Sequence, residues 1–157
     1  MALESDIPEG TVVPKTLYVA EPRLAFFSAY QAQTRKLPIA VFSNQAKDEA
    51  FALLERDHPE FFVSESLGCG RTNNRGLGHD IENVERARQL APDVPTAILA
   101  CCDNELTLPL RRAHQDGIVD AVIWPGYLFS HMSFGMRIVH AYAKAQENRA
   151  ARLQTGT

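Results

Sequence analysis

The stretch Pro59-Glu60-Phe61-Phe62-Val63-Ser64-Glu65-Ser66-Leu67 decides the fold. It is a short apolar run with a helical pattern before it and glycine-rich turn residues after it, which is how a strand buried on both faces reads. Such a strand lies centrally in a parallel sheet, and its last residues reach the carboxyl edge, where open α/β folds place their chemistry. Glu65, a carboxylate that closes an apolar strand, is therefore the residue to explain.

Toward the amino terminus, residues 16–20 form a first strand, broken by Glu21-Pro22, and proline is well tolerated in the first turn of the helix that follows. That helix should run to about residue 36 and bury some of Leu24, Phe27 and Tyr30. Residues 39–42 form a second strand. The helix after it carries Ala46, Ala50, Leu53 and Leu54 on one continuous face.

Toward the carboxyl terminus, Asp80 is the expected N-cap of a helix that buries Ile81, Val84, Ala87 and Leu90 and ends at Pro92. A fourth strand follows at 96–100. The next helix carries Leu106, Leu110 and Ala113, admits Pro109 near its start and stops at Gly117, a residue suited to a left-handed cap. A fifth strand is expected at 118–123, and a last helix from just after Pro125-Gly126 to about Leu153. Five strands alternating with five helices predict an α/β, doubly wound, five-stranded parallel sheet with an extended C-terminal helix, since right-handed crossovers cover both faces.

The whole chain sets bounds on this reading. With 157 residues, 45% of them hydrophobic and 22% charged, it suits one well-cored domain. Residues 1–14, with Pro8, Gly10 and Pro14, read as a flexible lead-in, 15–145 as the domain, and 146–157 as a helical connector or tail with little to bury. A net charge of −3 and a pI near 5.9 offer no basic excess for a phosphate backbone, which disfavours nucleic-acid binding. No apolar run approaches a bilayer span and the first residues are acidic, so a soluble, cytoplasmic protein is expected. Cys69, Cys101 and Cys102 lack C-x-x-C spacing, and an adjacent pair is poor disulfide geometry, which fits a reducing compartment.

The order and spacing of these landmarks resemble the receiver domain of two-component response regulators, a flavodoxin-like fold of strand order 2-1-3-4-5. The resemblance spans about residues 15–145. It rests on Glu21-Pro22 after the first strand, Pro59-Glu60 before the third, 91–95 before the fourth, and Gly117 with Trp124-Pro125 around the fifth. In that family an acid pair after the first strand and an aspartate after the third hold Mg²⁺ and accept a phosphoryl group. A hydroxyl after the fourth strand and a lysine after the fifth assist, because a transferring phosphoryl group needs metal and cationic stabilisation.

Set against that pattern, Val19 and Ala20 stand at the acid pair, with Glu21 one residue on. Glu65 stands at the acceptor aspartate, Ala100 at the hydroxyl, Trp124 at the lysine and Ala121 at the switching aromatic. The resemblance thus implies a degenerate phosphorylation site, no metal, no cofactor, no catalysis, and a cis bond between Trp124 and Pro125. Glu65 is either a permanent charge imitating the phosphorylated state or a partly solvated acid held by backbone N–H groups. Trp124 is expected to fill the emptied pocket.

Three further features carry function. The loop with Gly68, Gly70, Arg71 and Arg75 could present backbone N–H groups and guanidinium forks to a small anion or nucleotide, or be a plain surface loop. The three cysteines, with His79, could meet at the sheet edge as a thiol or metal site, or be buried hydrophobes. The last helix is apolar around much of its girth, with Leu128, Phe129, Met132, Met136, Ile138 and Tyr142 as a candidate contact surface. Receivers commonly pair through the fourth helix, fifth strand and fifth helix, so a second copy is the expected partner, or another signalling protein. The function expected is regulation of an output domain or partner by protein contacts. An anion-binding module at the glycine loop, and an unorthodox phospho-acceptor or thiol enzyme, are the alternatives.

Overall fold

β1 (Thr16–Ala20), β2 (Ile39–Ser43), β3 (Phe61–Glu65), β4 (Thr96–Leu99) and β5 (Ala121–Ile123) form one parallel sheet in the order β2-β1-β3-β4-β5. The structure is a computed structural model, and it describes residues 7–65, 75–100, 107–126 and 131–155. β3 lies at the centre, with Ala20 beside Glu65 in one register and Glu65 beside Leu99 in the other. The expected flavodoxin-like order is what is found.

Alternation along the strands feeds two cores. Leu17, Val19, Phe62 and Ile98 join Phe51 and Leu54 of α2 (Lys47–Asp57), Val84 of α3 (Arg75–Leu90) and Leu110 of α4 (Leu108–Gln115). Tyr18, Phe61, Val63 and Leu99 join Ala25 and Ala32 of α1 (Pro22–Thr34) and Phe134, Ile138 and Ala141 of α5 (Phe134–Gln154). Each large side chain removed from water in these layers contributes about 1.5–3 kcal/mol, so both faces must be covered for the sheet to persist.

Several sequence expectations change in the packed chain. α1 sets its small residues Ala25, Ser28 and Ala32 against the sheet, and Phe27 and Tyr30 stay 62% and 64% exposed. Small side chains let the helix lie close to β1 and β2, and the aromatic arc is turned outward. Leu24, as expected, packs partly against the core. Asp80 does not cap α3. The helix begins five residues earlier, and Asp80 is buried inside it, accepting a 2.5 Å hydrogen bond from the Ser64 hydroxyl.

β5 starts at Ala121 because the N–H groups of Ile118 and Val119 turn back to the Ala113 carbonyl at 2.8 and 3.4 Å, closing α4. Gly117 ends that helix with φ +75°, as its position suggested. The Trp124–Pro125 bond is trans, the isomer favoured for X-Pro wherever nothing selects the other. α5 starts at Phe134, where the Ser133 hydroxyl caps it by accepting from the Met136 N–H at 3.3 Å.

α5 crosses its face of the sheet diagonally. Its Phe134 ring meets Tyr18 of β1 edge-on at 5.1 Å, and Tyr142 lies 5.1 Å from Phe61 at the start of β3. The stretch beyond Ala143 does find groups to bury against. Ala145 is fully buried, and Arg149 and Arg152 reach Asp120, a 1%-exposed carboxylate just before β5. Asp120 also accepts from the Thr96 N–H at 2.9 Å and its hydroxyl at 3.3 Å. Asn148 donates to the Asp120 carbonyl at 3.0 Å. The anchoring is polar, so a reading by apolar periodicity passes over it.

At the other end of the chain, the Ile7 side chain sits 2.8 Å from where a Cβ on Gly135 would lie, and Pro14 is buried. The lead-in therefore touches the start of α5 through Ile7.

Removing the Asp120 carboxylate leaves two arginines facing a buried edge. Asp120→Ala is expected to cost about 3–5 kcal/mol, read as a lower urea midpoint at unchanged slope.

Candidate functional site

The carboxyl edge of the sheet is assembled by the ends of β1 and β3. Glu65 projects to the α1–α5 layer, the same side as Phe61 and Val63, because alternate residues of a strand share a face. There the Tyr18 hydroxyl donates a short hydrogen bond to Glu65 Oε1. The Tyr18 side chain is fully buried, and its hydroxyl also bonds with Ser28 of α1. Arg137, one turn into α5, acts on both groups through its charge.

The electrostatics follow from this enclosure. Burial lifts the Glu65 carboxyl above the usual glutamate range, against the opposing pull of the Tyr18 hydrogen bond and the Arg137 guanidinium. Burial likewise pushes the Tyr18 phenol well up, helped by the Glu65 charge and by the hydrogen bond to it, so that Tyr18 serves as a donor.

Glu21 marks the turn out of β1. Its N–H donates to the Glu65 carbonyl at 3.3 Å, and its Oε1 accepts from the Arg23 N–H at 3.1 Å, capping α1. Its Oε2 is buried with no hydrogen-bond partner among the described residues. Ala100 continues the β4 ladder through its N–H to the Ile123 carbonyl at 2.9 Å and is buried in the α2–α4 layer. Trp124 packs against that same layer, with the Arg111 guanidinium of α4 4.5 Å from its ring centroid. Glu65 and Trp124 thus lean toward opposite layers.

A second polar group stands on the far side of β3. Ser64, fully buried, donates to Asp80 and accepts from the Asn83 amide at 3.2 Å, and Asn83 also donates to Asn44 at 2.9 Å. These contacts tie the top of β3 to α3 and to the turn after β2.

The remaining sequence candidates divide. Gly68, Gly70, Arg71, Cys69, Cys101, Cys102, Leu128 and Phe129 lie outside the described residues, and Arg75 is placed as the first residue of α3. His79 is exposed, and no metal-holding cluster of His, Cys, Asp or Glu occurs among the described residues. Ile138 is fully buried in the protein's own core, so it is no part of an outer contact surface. Tyr142 packs partly on the same core through Phe61. Both belong to the face that α5 turns to the sheet, whereas Met132 and Met136 are half-buried.

Tyr18 and Arg137 were missed by sequence reasoning. The signal for Tyr18 was its hydroxyl in an otherwise apolar buried strand, since a buried phenol requires a partner. For Arg137 it was a charge set between Met136 and Ile138 on an apolar helix.

No protein-family model matches the chain. No curated protein matches it significantly either. Solved structures do. A response regulator from Burkholderia pseudomallei, with a phosphorylated aspartic acid, calcium ion and citrate, matches at TM-score 0.53 and 20% identity, covering 91% of this chain and 75% of its own. A receiver domain protein from Clostridium thermocellum matches at TM-score 0.53 and 6% identity, over 87% and 97% of the two chains. A Rhodopirellula baltica protein described as an adenylate cyclase matches at TM-score 0.55 and 10% identity, over 91% and 96%. The chain therefore has the fold of response-regulator receiver domains. Among the described residues no helix is long and apolar enough to cross a membrane.

Glu65 offers a direct check on this environment. A carboxyl whose folded pKa is raised favours folding below its ordinary value of 4.5, and that contribution is lost as pH rises through the folded value. Glu65→Gln, which keeps the shape and removes the charge, is expected to melt higher than wild type at pH 7, and the gap should close as pH falls below about 4.5.

Proposed function

We propose that this chain is a pseudo-receiver, a signalling domain that regulates an output domain or partner through protein contacts without taking a phosphoryl group. The observation that supports it is the end of β3. The carboxylate there is longer than aspartate and accepts a hydrogen bond from Tyr18 on the core side, with the Arg137 charge acting on it. Ala100 and Trp124 stand where active receivers carry a hydroxyl and a lysine, so neither a metal nor a phosphoryl group finds its usual ligands. On this reading the chain is not an enzyme and needs no cofactor.

Trp124, the sole tryptophan, reports on the edge. Its emission is expected to stay flat on adding Mg²⁺ and then beryllofluoride. A saturable change abolished by Glu65→Gln would mean that phosphoryl chemistry survives.

The proposed partner is a second copy, meeting through α4, β5 and the outward stripe of α5. Met136 supports this as a half-buried apolar residue on the side of α5 away from Ile138, and Met132, half-buried, stands just before that helix. Sedimentation should show a dimer for wild type and a monomer for Met136→Glu. A wild-type monomer across the micromolar range would remove self-association from the proposal.

A further inference from the structure

We infer that the outer edge of β2 takes an added strand, an extended and uncharged segment of a partner protein that carries apolar side chains on both faces. β2 closes the sheet on one side, and its five residues, Ile39–Ser43, include no charge, proline or glycine. Edge strands are ordinarily blunted by such residues or by being very short. β5, at the other edge, spans only Ala121–Ile123, so the two edges are unlike.

The ladder with β1 settles which backbone groups of β2 face outward. The Thr16 N–H donates to the Pro38 carbonyl at 2.9 Å, and this sets the phase of the pairing. In a parallel pair only alternate residues bond to a given neighbour, so Ala40 and Phe42 turn their N–H and C=O groups to β1. Val41 turns both of its own away from the sheet. Among the described residues nothing bonds to them, whereas the Ile39 N–H is closed onto the Leu37 carbonyl at 2.8 Å. An antiparallel strand that sets one residue opposite Val41 exchanges both bonds with it.

Clefts on the two faces give room to the side chains of that strand. On the α1 side Ala29, Ala32, Leu37, Ile39 and Val41 line a cleft of about 150 Å³, with Gln33 at its rim. On the α2 side Leu17, Pro38, Ala40, Leu53 and Pro59 line one of about 250 Å³. Side chains of a strand alternate between faces, so the residue opposite Val41 meets the first cleft and the residue opposite Ala40 the second. An apolar cavity of roughly 150 Å³ holds a benzene ring, so the larger cleft has room for an aromatic side chain and the smaller for an aliphatic one.

The larger cleft also selects against charge. The Thr16 hydroxyl beside it donates to the Pro14 carbonyl at 2.7 Å, and the Lys15 N–H donates to Glu60 Oε1 at 3.0 Å. The charged residues in its lining, Lys15 and Asp57, are exposed and of opposite sign. An entering side chain therefore gains by burying apolar area and not by charge. The inference goes beyond the pseudo-receiver reading and is independent of it, because β2 and β5 are opposite edges and the test reads neither Trp124 nor Met136.

The probe is the capped peptide Lys-Thr-Phe-Val-Phe-Thr-Lys, whose terminal lysines keep it soluble, titrated into the isotope-labelled full chain. The expected result is saturable binding with amide shifts centred on β2, and at least tenfold slower hydrogen exchange of the Val41 amide at saturation. Affinity is expected to fall at least tenfold when the central valine is N-methylated, which removes a bond and keeps the side chain, and again when both phenylalanines become glutamates. Val41→Pro, a residue tolerated where an edge N–H faces solvent, should abolish binding. Ala40→Phe, which fills the larger cleft from within, is a second variant expected to fold and to weaken binding at least tenfold. No saturation at millimolar peptide, equal binding of the N-methylated or glutamate peptide, or indifference to both variants would overturn the inference. Protection of the Val41 amide that grows with protein concentration alone would overturn it too, by giving the edge to a second copy.

Discussion

Burial of β3 on both faces is the constraint on which the rest of the structure depends. A strand closed in by two helical layers has no water for its polar groups, so each must be satisfied within the protein. Phe61, Phe62 and Val63 meet this by being apolar. Ser64 and Glu65 meet it by recruiting partners from opposite directions. Ser64 draws Asp80 and Asn83 of α3 into the core, and Glu65 is answered by Tyr18 of the neighbouring strand. The carboxyl edge of the sheet thus holds two internal polar networks, one under each layer.

α5 braces this arrangement. Its diagonal path brings Phe134 over β1, Tyr142 over the start of β3, and Arg149 and Arg152 to the buried carboxylate before β5. One helix therefore touches elements far apart in the sheet, and its position brings the Arg137 charge within electrostatic reach of Glu65. The two ends of α5 use different chemistry. Near its start it is held by apolar area, while its last two turns are held by charge-assisted contacts to Asp120 and by bonds from Arg152 to Gly117 and from Arg149 to Pro92.

The outward arc of α1 has a different standing. Phe26, Phe27 and Tyr30 are all largely exposed, and Phe26 and Phe27 meet each other edge-on at 5.9 Å. Adjacent phenylalanines on a helix point about 100° apart, and here both lie on the arc turned away from the sheet. Which of them a sheet would take was not legible, because the small residues Ala25, Ser28 and Ala32 form an equally regular stripe. Close approach to β1 and β2 favoured the smaller set.

The sequence by itself determined the five strands, their parallel winding, the order of elements and the position of Glu65 at the end of the central strand. Those features follow from local periodicity, turn residues and handedness, which are properties of short segments. The tertiary structure alone decided what Glu65 touches, where Asp80 lies, which face of α1 is buried, and that the end of α5 is anchored. Each depends on groups brought together from distant parts of the chain. Tyr18 lies 47 residues from Glu65, Asp80 lies 16 from Ser64, and Arg152 faces Asp120 across the sheet's amino edge. A polar contact of that kind leaves no period in the sequence, so only packing of the layers could select it.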